Sequence, residues 1–189
     1  MTEVVLDAAG IQKALKSMAD AIVDSPGDGP WAVVGIRRGG EHLAHRLAKH
    51  IADKTGHEPP IGTVDITLYR DDGFGPHDWP DVGVTQIGFR LREHTVVLVD
   101  DVLYTGRTVR AALDAILDYG RPKAVRLAVL VDRGLRELPV RGDAVGLTLQ
   151  TSAEQHVDVT LTDAGEEADA VLLGPKPNGK GKGGEGESR

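Results

Sequence analysis

The chain has 189 residues, of which 40% are hydrophobic, and it carries a net charge of −7 at pH 7. This length fits a single domain with its own core, the lack of cysteine excludes disulfides and thiolate metal sites, and the acidic balance argues against broad non-specific binding of nucleic acid. The apolar stretches are too short to span a bilayer and the amino terminus lacks the features of a signal peptide, so we expect a cytoplasmic protein.

The first part of the chain predicts helices and strands in alternation. Asp7 is a candidate cap for a helix whose apolar residues recur at helical spacing as far as Ile22. Residues 31–36 predict a buried strand, and a loop at residues 37–40 leads into a second amphipathic helix. Residues 62–70 alternate apolar and polar side chains, which predicts a further strand with one wetter face.

Residues 71–88 are rich in glycine and proline, show little periodicity and contain neither lysine nor arginine. Ordinary connections between elements are much shorter. We therefore predict that this segment is a functional flap.

The second part of the chain contains two more buried strands, at residues 96–99 and 124–131, and a short alternating one at residues 157–161. A helical pattern separates the first two. This alternation predicts an α/β domain with a mostly parallel twisted sheet and helices on both faces. The domain is expected to occupy residues 1–173, and the Gly/Lys/Glu-rich residues 174–189 are expected to form a disordered tail.

The most informative segment is VVLVDDVLYTGRT, residues 96–108. A buried strand runs into Asp100 and Asp101, and a short loop with hydroxyls and a glycine precedes a helix. Open α/β sheets bind ligands at the carboxyl ends of their strands, and a helix amino terminus offers free N–H groups to a phosphate. The acids would suit ribose hydroxyls, so the segment predicts a sugar phosphate site. An acid pair that binds Mg²⁺ directly, as in other doubly wound domains, is the alternative.

A second strand–loop–helix unit places Arg37, Arg38, Gly39 and Gly40 at another strand end. These residues could bind a second anionic group, such as a diphosphate, although a tight turn with solvated arginines would have the same sequence. A chain with two such loops is expected to bind a ligand that carries two phosphate groups. His42 and His45 lie near by on the following helix, and a solvated helix face is their expected role rather than a metal site.

Three segments together give a resemblance to a known family: DITLYRDD at residues 65–72, VVLVDDVLYTGRTVRAALDAILDYGRP from residue 96, and LAVLVDRGLRELPVR at residues 127–141. They resemble the type I phosphoribosyltransferases, and within them the branch that combines uracil phosphoribosyltransferase activity with regulation of pyrimidine operons. The likeness extends from about residue 4 to residue 161, without the flap. It implies a type I phosphoribosyltransferase fold with a small hood built partly from the chain ends.

The resemblance also implies the chemistry. Uracil would displace diphosphate from Mg²⁺-bound phosphoribosyl diphosphate (PRPP) to give UMP, with Mg²⁺ held through PRPP and without a dedicated protein ligand set. The implied catalytic residues are Asp100 and Asp101; the 5′-phosphate would bind Tyr104, Thr105, Gly106, Arg107 and Thr108; the diphosphate would bind Arg37, Arg38, Gly39, Gly40 and Arg70; and the base would meet Val131, Asp132 and Arg133, through backbone groups.

Regulation is the alternative function that the resemblance implies, with UMP or UTP promoting binding to leader mRNA. RNA binding needs a basic face, for which Lys16, Arg136 and Arg141 are the candidates, although salt bridging or support of the dimer would also explain the arginines. Asp20 and Leu147 stand where a basic or histidine side chain would be expected. A homodimer or a higher even oligomer is expected by analogy alone.

Overall fold

The computed structural model describes residues 2–25, 29–71 and 82–177. Predictions about the middle of the flap, residues 72–81, and about tail residues 178–189 therefore lie outside the described residues. In chain order, the helices and strands are β1 (Glu3–Asp7), α1 (Ala8–Val23), β2 (Trp31–Ile36), α2 (Gly40–Thr55), β3 (Ile61–Val64), β4 (Thr95–Leu103), α3 (Arg107–Asp118), β5 (Ala124–Asp132), β6 (Ala144–Thr148), β7 (Gln155–Thr160) and β8 (Ala170–Pro175).

The centre of the molecule is a five-stranded parallel sheet in the order β3-β2-β4-β5-β6. The middle strands are continuous apolar runs, and residues 96–99 of β4 are fully buried because both faces of the sheet are covered. Helices α1 and α2 pack on one face, and α3 packs on the other. The predicted α/β class and parallel sheet are confirmed.

Helix α1 shows how the local sequence sets these elements. The Asp7 carboxylate caps it by accepting a hydrogen bond of 2.8 Å from the Gly10 N–H, as predicted. Apolar side chains at helical spacing, from Ile11 to Ile22, form a buried stripe against the sheet. Helix α2 presents a similar stripe and ends at Gly56, whose φ of 74° is readily reached without a side chain.

A separate antiparallel sheet, β1-β8-β7, forms the hood from segments near both ends of the described chain. Its apolar residues Val157, Leu161 and Val171 belong to the same buried cluster as α1 and α2. The Arg46 side chain adds a polar link from α2, with ion pairs to Asp163 and Asp169. The predicted hood is thus present and is attached to the helical layer.

Two sequence predictions about element boundaries were wrong. The strand predicted over residues 62–70 ends at Val64, and a 3₁₀ turn follows at Thr67–Tyr69, because the Asp65 carboxylate accepts the Thr67 N–H at 3.0 Å and bends the chain. The predicted tail begins too early, because β8 continues to Pro175 by pairing with β7. Within the described ranges, the helices are too short or too polar to cross a membrane.

Candidate functional site

The site lies at the carboxyl edge of the parallel sheet, where the loops after β2, β4 and β5 meet. The acid pair at the end of β4 is its centre. The side chain of Asp100 is buried, with the residue only 5% exposed, and Asp101 is half-buried. The Asp101 N–H donates to the Asp100 carboxylate at 3.1 Å, and the Val102 N–H donates to that of Asp101 at 2.7 Å.

Burial controls the charge of this pair. It raises the pKa of Asp100 well above its usual range, and the neighbouring charge of Asp101 raises it further. Burial also raises the pKa of Asp101, while the Val102 N–H opposes that effect. Neither carboxylate has a cation partner in the described residues, and only Asp101 lines one of the cavities described below, so Asp101 is the one placed to accept hydrogen bonds from ligand hydroxyls.

The loop after β4, which was predicted to hold the 5′-phosphate, has the predicted turn into a helix. Gly106 turns the chain with φ 92°, and α3 begins directly after it. The N–H groups of a first helical turn have no partner within the helix and can bind an anion, although here the Arg107 N–H donates to the Thr105 hydroxyl at 3.4 Å. A cavity of about 230 Å³ lies beside this loop. It is lined by Tyr104, Thr105, Arg107 and Thr108 on one side and by Ile66, Arg70 and Asp71 on the other.

Two arginines in this cavity have contacts that the sequence did not indicate. The Arg107 guanidinium bridges Glu137, at 2.6 Å, and Asp71 at the start of the flap, at 2.7 Å. It therefore joins three segments around the phosphate loop. Arg70, which was predicted to bind the diphosphate, lines this cavity beside the loop after β4.

The loop after β2, which carries the candidate diphosphate residues, packs directly against the acid pair. A side-chain carbon at Gly39 would lie 2.1 Å from the Asp101 carboxylate, and one at Gly40 would lie 2.1 Å from the Val99 carbonyl oxygen. Only glycine permits this approach. Arg37 lies beside Asp65 and 3.9 Å from Glu41, and Arg38 is exposed. The two predicted anion loops are thus neighbours across Asp101.

A second cavity, of about 370 Å³, lies between the sheet edge and the hood. Asp101, Tyr104 and Arg133 line its lower side, and Tyr104 also belongs to the phosphate cavity, so the two cavities share a wall. The upper side is formed by hood residues that sequence reasoning missed, among them Gln155, His156, Asp158 and Lys176. The alternation of side chains along β7 could indicate which of them point away from the core. It could not indicate that they line this cavity.

The turn after β5, where the base was expected to bind, is occupied by internal contacts. Val131 is fully buried, and the Asp132 carboxylate binds Arg136 through both oxygens and also accepts the Gly134 N–H. The Arg133 guanidinium donates to the carbonyls of Ser152 and Gln155 and lies 4.3 Å from the centre of the Tyr104 ring. Of the three predicted base-binding residues, only Arg133 lines the cavity.

The three candidate RNA-binding residues do not behave alike. Lys16 and Arg141 are exposed. Arg136 turns inward and donates to Asp132 and to the carbonyls of Tyr104 and Val140, at 2.6 and 3.0 Å. The neighbouring Glu137 pairs with Arg107. Arg136 therefore holds the β4 and β5 loops together.

Comparison with known proteins identifies the same architecture. A family model described as phosphoribosyl transferase domain matches residues 1–164. Proteins named bifunctional protein PyrR are about half identical: that of Syntrophobacter fumaroxidans shares 51% over 86% of this chain and 88% of its own length, and that of Geobacter sulfurreducens 49% over 89% and 96%.

Solved structures of purine enzymes have the same fold. The hypoxanthine phosphoribosyltransferase of Trypanosoma cruzi superposes with a TM-score of 0.67 at 18% identity, over 92% of this chain and 97% of that one. The hypoxanthine phosphoribosyltransferase of Staphylococcus aureus gives a TM-score of 0.59 at 22% identity, over 79% of each chain. At such low identity these structures show the fold alone.

Proposed function

The chain belongs to the phosphoribosyltransferase family, and on that premise we propose that it is a uracil phosphoribosyltransferase, which forms UMP and diphosphate from uracil and PRPP. The observation that carries the proposal is the pair of cavities that share Tyr104 as a wall, with Asp101 lining the one under the hood. A nucleotide has this layout, with its phosphate and its base on opposite sides of a ribose. The choice of uracil rests on the relatives at about 50% identity and on the motifs they share with this chain.

In this proposal each loop binds one part of PRPP. The 5′-phosphate lies at the amino terminus of α3, in the cavity with Thr105 and Thr108, and the ribose hydroxyls donate to Asp100 and Asp101. The diphosphate lies along the glycine loop after β2, which touches Asp101. Binding the remote phosphate supplies energy that positions the reacting carbon.

Mg²⁺ suits the oxygen-rich surroundings of this site. The Asp101 carboxylate is a hard oxygen ligand that packs against the proposed diphosphate loop. Among the described residues, groups of three or more His, Cys, Asp or Glu side chains that could hold a metal do not occur. In this proposal the ion is held mainly through PRPP. When bound, Mg²⁺ would neutralise charge on the departing diphosphate.

The protein's own residues would then stabilise the separation of charge. As the bond from C1 to the diphosphate breaks, positive charge grows on the ribose and negative charge on the leaving group. In this proposal the acid pair lies near the positive charge on the ribose. The backbone N–H groups and arginines of residues 37–40 lie near the negative charge on the leaving diphosphate. The N1 of uracil forms the new bond to C1 of the ribose on the opposite face, with inversion, and its N1–H proton is released to solvent. The hood limits the access of water, which would hydrolyse PRPP.

The test is product formation from PRPP, Mg²⁺ and four separate bases: uracil, hypoxanthine, guanine and orotate. The proposal predicts UMP from uracil and little or no nucleotide from the other three. A nucleotide formed from one of the other bases, but not from uracil, would contradict the substrate while leaving the transferase class intact. A protein that is stabilised by PRPP and silent with every base would point to nucleotide sensing.

RNA binding is the second candidate function, and the word bifunctional in the names of the relatives favours it. Lys16 and Arg141 are exposed and could contact RNA phosphates. Arg136 is engaged internally, and the Asp20 carboxylate, which binds Lys54 at 2.9 Å, adds negative charge to α1. We therefore expect weak, salt-sensitive binding of a pyrimidine leader RNA, measurable by filter binding with and without UMP or UTP.

A further inference from the structure

The backbone after β5 has little left with which to recognise a base. The Arg133 N–H donates to the Leu103 carbonyl at 3.1 Å, and the Asp132 carbonyl accepts the Leu149 N–H at 2.8 Å. The Arg133 carbonyl accepts the Thr151 hydroxyl at 3.0 Å. These contacts use the Arg133 N–H and one of the two lone pairs of each carbonyl, which limits what this backbone can offer to a base edge. Side chains elsewhere on the cavity must supply much of the recognition.

The outer face of β7 supplies such side chains. Val157 points into the core and is only 3% exposed, whereas its neighbours His156 and Asp158 are exposed and line the cavity. Alternation along a strand places both on one face. No hydrogen bond or ion pair of the Asp158 carboxylate occurs within the described ranges. Its charge nevertheless contributes to the raised pKa of Asp101, which puts it near the reaction centre.

The edge of uracil has an acceptor, a donor and an acceptor in sequence: O2, N3–H and O4. A matching protein surface needs an acceptor between two donors. The cavity offers one hood carboxylate, Asp158, with two nitrogen-bearing side chains, His156 and Lys176, on the same lining. Cytosine has a lone pair at N3 and an amino group at position 4. A carboxylate placed at N3 would therefore repel the cytosine lone pair.

We propose that Asp158 is the residue that selects uracil, by accepting its N3–H, and that His156 and Lys176 donate to the flanking oxygens. This inference rests on the proposed function, whose base it assigns to a particular surface. It makes β7 the base-reading strand. Arg133 then acts as a positioning residue, because its guanidinium holds the start of β7 through the Ser152 and Gln155 carbonyls.

The experiment compares the wild type with Asp158→Asn and Asp158→Ala in steady-state assays with uracil and cytosine at saturating PRPP. Loss of a charge-assisted hydrogen bond should lower kcat/KM for uracil by about tenfold or more. The loss should appear mainly in KM for uracil, because the contact exists before and during the reaction. The Asn variant should also lower the ratio of kcat/KM for uracil to kcat/KM for cytosine, since an amide can donate to N3 of cytosine.

The matched control is Glu166→Gln, an exposed hood acid outside the cavity, which should behave as the wild type. The KM for PRPP should stay within about twofold in every variant. Unchanged uracil kinetics in both Asp158 variants would overturn the inference, and so would a loss confined to kcat.

A calorimetric comparison of UMP and CMP separates this inference from the proposed function. If the wild type makes no UMP from uracil, the proposed function fails. The inference would still be supported if the wild type bound UMP more tightly than CMP and the Asp158→Asn variant bound the two nucleotides equally. Equal affinities for the two nucleotides, or no binding of either, would overturn it.

Discussion

At the scale of single residues, the acid pair shows how a site is assembled against stability. Two adjacent carboxylates lie at the end of a buried strand, where burial raises both pKa values. The ionised pair is therefore unfavourable in the free protein, and ligand hydroxyls would relieve it.

Asp100→Asn tests this arrangement. When the folded-state pKa of an acid exceeds its unfolded-state pKa, the protein loses stability as pH rises from the unfolded value to the folded one. The free energy of unfolding of the wild type should therefore fall between about pH 4 and the raised pKa of the pair. The variant should unfold at equal or higher urea concentration than the wild type at pH 8, with a smaller difference near pH 4. Its kcat should fall by about 100-fold.

The control is Asp53→Asn, an exposed acid on α2, which should change neither property. Asp100→Asn protein that fails to fold at pH 8 would show that the carboxylate is structural and would contradict this account.

At the scale of elements, the two anion loops are constrained by close backbone approach. Gly39→Ala would place a carbon inside contact distance of the Asp101 carboxylate. We expect kcat/KM for PRPP to fall by about tenfold or more, because the acid must move. Gly88→Ala is the control, since a carbon there meets no atom within 4 Å. Equal activities in the two variants would exclude a role for this contact.

The hood is attached to the helical layer by apolar packing and by one ion-pair cluster. The Arg46 and Asp169 side chains are 13% and 9% exposed, and hydrogen bonds from Arg46 lower the pKa of Asp169 to about 2. Asp169→Asn should reduce the free energy of unfolding by about 2 kcal/mol at pH 7, because it leaves the Arg46 charge partly unpaired.

The pH dependence gives this pair a second test. A depressed carboxyl pKa stabilises the fold above the unfolded value of about 4, and this contribution is lost as pH falls from about 4 towards 2. The difference in free energy of unfolding between the wild type and Asp169→Asn, measured by chemical denaturation, should therefore disappear over that pH range. A difference that persists at pH 2 would assign the loss to packing instead.

At the scale of the whole molecule, the charge distribution bears on RNA binding. Asp20 lies on α1 and Leu147 on β6, and these two elements pack together. Asp20→His combined with Leu147→Lys should add positive charge to this face and release Lys54 from one carboxylate. Affinity for leader RNA should rise and become more salt-dependent. An unchanged affinity in filter binding would contradict the assignment of this face.

The sequence predicted the architecture well but did not indicate the cavity under the hood, for physical reasons. Buried parallel strands and capped amphipathic helices depend on local patterns, so a buried strand and the turn from it into a helix could be anticipated from residues 96–108. The hood is different, because the cavity depends on pairing between strands far apart in sequence. Local pattern could not show that Asp158 and Asp101 line one cavity, nor that Arg136 turns inward to Asp132.

The measurement that tests the central claim most directly is calorimetric binding of UMP and its two parts, uridine and ribose 5-phosphate, to wild type, Thr105→Val and Asp158→Asn. If one nucleotide spans both cavities, UMP binds once per chain and both variants weaken it. Thr105→Val should weaken ribose 5-phosphate and spare uridine, and Asp158→Asn should do the reverse. Variants that weaken both parts alike would contradict a single site built from the two cavities.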